Sequence, residues 1–443
     1  MFTDLPTEII INEIFPHLDR SGRIVLSNVL WNTPITNIYD IQNEICQYSI
    51  SYVKFFISTL DTNLICYNAA YHNNLSLLQW CRSSGFPWSE ISAEHSAKHG
   101  YFKLLQWSIE NGCPLSVKTC SGAAKGGHLE ILKWVRSKGC PWDEQACSGA
   151  AKGGHLEILK WLRSSGCPWN DKTCANAAAG GHLDILKWAR KNGCRWNGET
   201  CSSAAINGHL DIIKWARYEG CPWSSTTAAY AAIGDNFELL KWIMMEGCRC
   251  DSSALLFAAN NGNLIMVKWL YENNCPWDSA VCESAAEYGY LEVLKWVREN
   301  GCPWNKRTCQ VAAQGGHLEL LKWAQSNGCP WDYITCSLAA QGGHLEVLKW
   351  AQSNGCPWDK RTCSGAARGG HLELLKWAQS NGCPWDKRTC EGAAQGGHLE
   401  VIKWARENGC PWDKRTCEEA ERNHNFELLE WARNNGCPNN INS

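Results

Sequence analysis

The sequence predicts an all-α protein, a solenoid of tandem helical repeats preceded by a small helical module. Two observations support this prediction. A tryptophan recurs at every 27th residue from Trp80 to Trp431 without insertion or deletion, and the segment ending in each of these tryptophans has apolar residues at helical spacing. Counted from Cys66, residues 66–443 form fourteen units of 27 residues. Because no such unit can bury its own apolar side chains, the units must stack on their neighbours.

Each unit predicts two helices joined by a tight turn, and reads approximately TCxxAAxGGHLEVLKWAxxNGCPWDxR. In the longer segment, Leu318, Leu321 and Ala324 share one helical face. The Asn-Gly that follows is a helix-ending signal. The shorter Ala-rich segment, such as residues 335–341, is preceded by Asp or Thr as an N-cap. The Cys-Pro-Trp tripeptide then forms the loop to the next unit.

The charge balance excludes several classes of function. The chain has 42 basic and 44 acidic residues, for a net charge of −2, so it has no global positive field to hold nucleic acid or an anionic membrane. No apolar run approaches the about 18 residues of a membrane span, and the first residues lack the basic region of a signal peptide. We therefore expect an intracellular, cytoplasmic protein.

The unit resembles the ankyrin repeat. GGHLEVLKWAxxNG is similar to the second ankyrin helix, and TCxxAAxGG is similar to the TPLHxAAxxG of the first. Ankyrin repeats have a period of about 33 residues, and the residues missing here fall in the CPWDKR connection, where ankyrin repeats carry a β-hairpin finger. Cysteine replaces the proline of TPLH, and tryptophan replaces a core leucine. The resemblance implies an ankyrin-like helical solenoid at residues 66–443 that binds other proteins.

The N-terminal residues 1–43 resemble an F-box, a small helical module that docks on the adaptor Skp1 of a ubiquitin ligase. Residues 44–65 read as a helical connector. The alternative is that the whole N-terminal segment only caps the solenoid, since terminal repeats need a polar outer face. The residues that match the apolar positions of the F-box motif, and that the resemblance assigns to Skp1 binding, are Leu5, Pro6, Ile9, Ile10, Ile14, Leu18, Val25 and Trp31.

The 27 cysteines fall mostly in two columns of equivalent positions, the helix cysteines of TC and the loop cysteines of CP. Disulfides between equivalent cysteines are disfavoured because stacked helices lie about 8–10 Å apart, although a bond within one loop, such as Cys356 to Cys363, stays open. Zinc is disfavoured because C-x6-C is not a close-spaced zinc pattern. We predict buried free thiols and no metal site.

No enzyme signature is present. The sequence contains no phosphate-binding loop or dinucleotide fingerprint, and every candidate catalytic group recurs with the repeat. The histidines of GGH are expected to orient the Gly-Gly turn by a hydrogen bond at the helix start. We predict a non-catalytic protein without a cofactor.

Partner contacts are expected where otherwise uniform units vary. Lys125, Lys152 and Arg368 belong to a variable column before the Gly-Gly turn. The units between about residues 228 and 292 depart most from the consensus, and we call them the divergent repeats. Their Tyr230 and Phe257 are apolar choices at another variable column and predict a partner-binding patch. Drift after duplication is the alternative explanation.

Together these features predict an adaptor that holds a protein target on its repeats and joins it to a Skp1-containing ubiquitin ligase. The alternative is a plain ankyrin-like scaffold or sequestering protein. N-terminal F-boxes joined to GHLEVLKWA arrays resemble proteins of large DNA viruses of amoebae and their hosts. This resemblance implies a ligase in the cytoplasm or nucleus of an infected host.

Overall fold

A computed structural model of the protein describes residues 62–438. The F-box-like residues 1–43 and residues 44–61 of the connector lie outside this part of the chain. Within residues 62–438 there are 28 helices and no strand, so the predicted all-α class is confirmed. In the same range no helix is long and apolar enough to cross a membrane.

The chain divides into two compact units, Met1–Trp223 and Ser224–Ser443, which we call the first unit and the second unit. Helices come in pairs that follow the 27-residue period, and the pairs are numbered along the chain. The described helices of the first unit are α1 Thr62–Tyr71, α2 Leu75–Ser83, α3 Glu90–Lys98, α4 Phe102–Glu110, α5 Val117–Gly126, α6 Leu129–Ser137, α7 Glu144–Gly153, α8 Leu156–Ser164, α9 Asp171–Ala179, α10 Leu183–Lys191, α11 Gly198–Ile206 and α12 Leu210–Tyr218.

The second unit continues the same pattern. Its described helices are α13 Ser225–Ile233, α14 Phe237–Met245, α15 Ser252–Asn260, α16 Leu264–Glu272, α17 Ser279–Glu287, α18 Leu291–Glu299, α19 Lys306–Gln314, α20 Leu318–Ser326, α21 Tyr333–Gln341, α22 Leu345–Ser353, α23 Lys360–Gly369, α24 Leu372–Ser380, α25 Lys387–Gly396, α26 Leu399–Glu407, α27 Lys414–Arg422 and α28 Phe426–Asn434.

Local sequence sets the ends of these helices. Before α23, the side chain of Asp359 accepts a hydrogen bond from the backbone N–H of Arg361, which satisfies a donor that the first turn leaves free. Gly370 ends the helix at a φ of 78°, a left-handed conformation that glycine adopts without a Cβ clash. The next helix, α24, follows within two residues, so the two helices form a hairpin.

Burial follows the repeat. In a repeat that follows the consensus, the alanines, the helix cysteine and one leucine are fully buried, as at Cys363, Ala366, Ala367 and Leu375. Within the first unit, and likewise within the second unit, the first helix of a pair packs against the first helix of the next pair. Exposed Glu–Lys pairs lie on the opposite face of the second helices, with about 2.7–2.9 Å between charged atoms. Such surface pairs contribute about 0–1 kcal/mol each, so stability comes mainly from the stacked apolar face.

Candidate protein-interaction surface

The tryptophans form a repeating contact at the loop end of each pair. The loop tryptophans are those of Cys-Pro-Trp, and the helix tryptophans are those at the 27-residue period. Trp142 of a loop meets the edge of Trp161 in the following pair at 5.8 Å between ring centroids. The Arg136 guanidinium lies 3.8 Å from the centroid of the Trp142 ring. Where an arginine stands six residues earlier, the loop indole is therefore held between that arginine and the tryptophan nineteen residues later.

The GGH histidines connect successive pairs. The Nε2–H of His344 donates to the carbonyl of Gln314 at 2.9 Å, and that of His398 to the carbonyl of Arg368 at 3.0 Å. These carbonyls lie thirty residues earlier, at the end of the preceding first helix. The expectation that the histidines orient their own turn was therefore wrong, because they bond to the neighbouring repeat. Burial lowers the pKa of His398.

The cysteines are packing residues with one exception. All 24 free cysteines in the described part of the chain are buried. Among the described side chains of residues 62–438, no three metal-ligating groups form a cluster. The loop cysteine Cys383 donates through Sγ to the carbonyl of Asp359 at 3.4 Å. The thiol of Cys363 donates to the carbonyl of Cys383 at 3.9 Å, so Cys363 pairs with a residue twenty positions later and not with Cys356. Its side-chain hydrogen bond to Cys383 and burial raise the pKa of Cys363.

The exception is the disulfide between Cys250 and Cys275, whose Cα atoms are 5.7 Å apart. Free thiols were predicted throughout, and at this pair the prediction was wrong. Cys250 occupies the position of the loop tryptophan in other repeats. Cys275 is a loop cysteine, and the residue twenty positions before it, where other repeats have the helix cysteine, is Leu255. Since Cys275 has no helix cysteine to pair with and Cys250 carries a sulfur where an indole usually stands, these two sulfurs bond to each other.

The structure leaves the predicted charged site residues on the surface. Lys125, Lys152 and Arg368 are exposed at the ends of α5, α7 and α23. Burial, followed by the charges of Lys98 and Lys152, lowers the pKa of Lys125. Lys98 occupies the same column as Lys125, one repeat earlier. The sequence interpretation did not include it.

Tyr230 and Phe257 project from the first helices α13 and α15. Tyr230 is 40% exposed, and Phe257 is half-buried. Four described repeats have glycine in this column, as at Gly392, where an added Cβ would lie 2.7 Å from the carbonyl oxygen of Ser364. Tyr230 places a large side chain at this position, and its ring is left partly in solvent.

Exposed apolar side chains in the described part of the second unit concentrate on the divergent repeats. From residue 291 to residue 425 no large hydrophobic side chain is exposed, and Phe426 follows at 63%. The sequence pointed to Tyr230 and to the departures at Tyr288 and Tyr290. It did not single out Met245 and Ile265, although both replace polar residues of the consensus. The exposed apolar residues of the divergent repeats are Tyr230, Met245, Ile265, Tyr271, Tyr288 and Tyr290, at 40%, 77%, 70%, 37%, 52% and 37%.

Comparison with known families finds one match. The model for ankyrin repeats, in three copies, matches residues 228–308. The matched segment includes the divergent repeats, and a match to ankyrin repeats supports a role in protein–protein interaction. No curated protein matches the chain.

Solved structures show only slight similarity to the chain. The pentatricopeptide repeat protein PPR10 in complex with an 18-nt psaJ RNA element is 13% identical, with a TM-score of 0.38 over 91% of this chain and 74% of that one. The human ASB11 ankyrin repeat domain is 16% identical, with a TM-score of 0.30 over 35% of this chain and 84% of that one. Similarity at this level supports no conclusion about function.

Proposed function

We propose that the chain is a non-catalytic substrate-recognition adaptor, whose repeats hold a protein target while its N-terminal module docks on Skp1 of a ubiquitin ligase. The observation that supports target binding most directly is the concentration of exposed apolar side chains on the divergent repeats, within the segment that matches ankyrin repeats. The adaptor would perform no chemistry, and its effect would be to bring the target close to the ligase.

Exposed apolar groups are unfavourable unless a partner covers them. Larger exposed apolar patches mark interaction sites, and aromatic anchors supply much of the binding energy of interfaces. Tyr230 and Phe257 are anchors of this kind on neighbouring first helices. In our proposal they contact the target directly.

The exposed cations would guide the approach of the target. Lys125 and Lys152 repel one another across adjacent repeats, so an acidic segment of a partner would relieve that repulsion. Charges at the rim of an interface change the association rate more than the affinity. We assign Lys125, Lys152 and Arg368 to this role.

The ligase half of the proposal depends on the F-box resemblance of residues 1–43. Leu5, Pro6 and Ile9 would begin the apolar ridge that contacts Skp1. We place the complex in the cytoplasm or nucleus of the host cell, following the similarity of the array to proteins of large DNA viruses of amoebae.

Target binding is tested with a Tyr230→Ser, Phe257→Ser double variant of the full chain. We expect loss of the captured target with an unchanged circular dichroism spectrum, because both side chains lie at the surface. Phe426→Ser is the matched control, since Phe426 is 63% exposed but lies outside the divergent repeats. Equal capture by wild type and the double variant would exclude the patch.

Ligase coupling is tested by co-purification with Skp1. We expect Skp1 with the wild type and not with a Leu5→Ala, Pro6→Ala, Ile9→Ala variant. If Skp1 accompanies neither protein, the chain is a scaffold or sequestering protein whose N-terminal residues do not couple it to the ligase.

A further inference from the structure

A cavity of about 400 Å³ opens between the ends of α14 and α16. Met244, Met245, Cys250, Trp269 and Asn273 are among the residues that line it. We propose that this cavity is a docking socket for a tryptophan side chain of a protein partner. The inference rests on the proposed function and adds a subsite to it.

The repeats show what normally fills this place. In repeats with an arginine six residues before the loop tryptophan, the indole contacts that arginine and the helix tryptophan nineteen residues after it, as Trp142 contacts Arg136 and Trp161. Trp169 has the same two neighbours, with Arg163 4.3 Å from its ring centroid and Trp188 at 5.9 Å. The residue six positions earlier varies, with glutamine in three repeats, but the contact between the loop tryptophan and the helix tryptophan recurs there too, as between Trp331 and Trp350 at 5.7 Å.

At residue 250 the loop tryptophan is replaced by cysteine. The residues six before and nineteen after it are Met244 and Trp269, and both line the cavity. The cavity is thus the space of the absent indole, with both flanking side chains in place. The sulfur of Cys250 is bonded to Cys275, so the shorter side chain is fixed in a different contact.

The cavity also has a polar position suited to an indole N–H. The Nε1–H of Trp88 donates to the carbonyl of Asn111 at 3.2 Å, twenty-three residues later. The equivalent residue for position 250 is Asn273, which lines the cavity. Because a buried indole N–H needs an acceptor, this arrangement favours tryptophan over phenylalanine.

The remaining wall suits an incoming side chain. Methionine is flexible and makes favourable contacts with aromatic rings. Met245 is 77% exposed, which leaves an apolar surface at the entrance. Phe237 meets Trp269 at 5.8 Å between centroids with their rings nearly perpendicular, so Trp269 is held in position without the loop indole. The volume lies within the about 300–1,000 Å³ usual for ligand pockets.

The test uses 5-fluoroindole as the probe and the full chain, with ¹⁹F NMR of the probe as the readout. We expect saturable binding to the wild type. N-acetyl-tryptophanamide should displace the probe at least fivefold more effectively than N-acetyl-phenylalaninamide. Cys250→Trp should weaken probe binding at least tenfold, because its own indole fills the socket.

Two variants serve as controls. Cys250→Ser removes the disulfide without filling the socket and should bind the probe like the wild type. Leu115→Trp adds a loop tryptophan at the other described loop where a different residue stands, and should leave probe binding unchanged. Circular dichroism establishes that each variant is folded, and size-exclusion chromatography shows whether the socket is instead filled by a second copy of the chain.

Absence of saturable binding to the wild type, self-association that fills the socket, or equal binding to folded Cys250→Trp would overturn the inference. The probe requires no target protein. If the probe binds as expected while Tyr230→Ser, Phe257→Ser still captures its target, the assigned patch is wrong and the socket stands. If target capture depends on Tyr230 and Phe257 while the probe does not bind, the socket is wrong and the patch stands.

Discussion

Replacing Gly369 by alanine separates local helix preference from packing between repeats. Gly369 is the last residue of α23, and local preference alone would make alanine up to about 1 kcal/mol more favourable than glycine in a helix. An added Cβ, however, would lie 2.4 Å from the carbonyl oxygen of Gln341 and 2.5 Å from Cδ2 of His371. The two effects therefore predict opposite signs.

The packing effect should be larger. Non-bonded atoms attract best at about 3.5–4.0 Å, so α21 and α23 must separate by about 1 Å to relieve the contact with the Gln341 oxygen. His371 would also have to move, which breaks its 3.1 Å hydrogen bond to that oxygen. Overpacking of this kind costs about 1–3 kcal/mol and the lost hydrogen bond about 0.5–1.5 kcal/mol. After the helix gain of up to about 1 kcal/mol is subtracted, we expect the unfolding free energy to fall by roughly 0.5–3.5 kcal/mol.

Urea unfolding followed by circular dichroism measures this change, and native-state hydrogen exchange should locate the loss of protection in α21 and α23.

The matched control is Gly198→Ala. Gly198 is the first residue of α11 and does not have a positive φ. Outside its own helix backbone, the nearest atom to an added Cβ would be the carbonyl oxygen of Pro222 at 3.8 Å. We expect the control to be neutral or slightly stabilising. A Gly369→Ala protein as stable as the wild type would refute the close packing of first helices.

Three further outcomes follow from burial and bonding. Burial, then the charge of His99, lowers the pKa of His95 from 6.5 to about 4. Because the unfolded chain takes up this proton first, stability should fall as pH drops from 6.5 towards 4, and thermal melts of His95→Gln should depend less on pH. Cys275→Ser should lower the urea midpoint of the second unit, since the disulfide closes a separation of 25 residues, worth about 3 kcal/mol. The free cysteines of residues 62–438 are all buried, so Ellman's reagent should modify them rapidly only after denaturation.

Much of the fold could be predicted from the period and from local patterns. Leu321 and Ala324 share a helical face in the sequence, and both are fully buried. An Asp before the first helices predicted a cap, and the side chain of Asp359 accepts the expected backbone hydrogen bond. These features depend on neighbours within a few residues, and helical geometry fixes where those neighbours lie.

The candidate site was only partly predictable. Variation between units pointed to Tyr230 and Phe257, because a change at one position of a uniform repeat is visible in the sequence. The exposure of Met245 and the role of Met244 beside Trp269 were not visible, since they depend on which residue the next pair brings alongside.

The sequence by itself determined the 27-residue phase, the two helices of each unit and the apolar face that must be buried. Only the tertiary structure decided that His344 bonds to Gln314, that Cys250 bonds to Cys275 and that a cavity opens beside Trp269. The physical reason is distance along the chain: residues 25–30 positions apart meet only after stacking sets the offset between pairs, and no local preference encodes that offset.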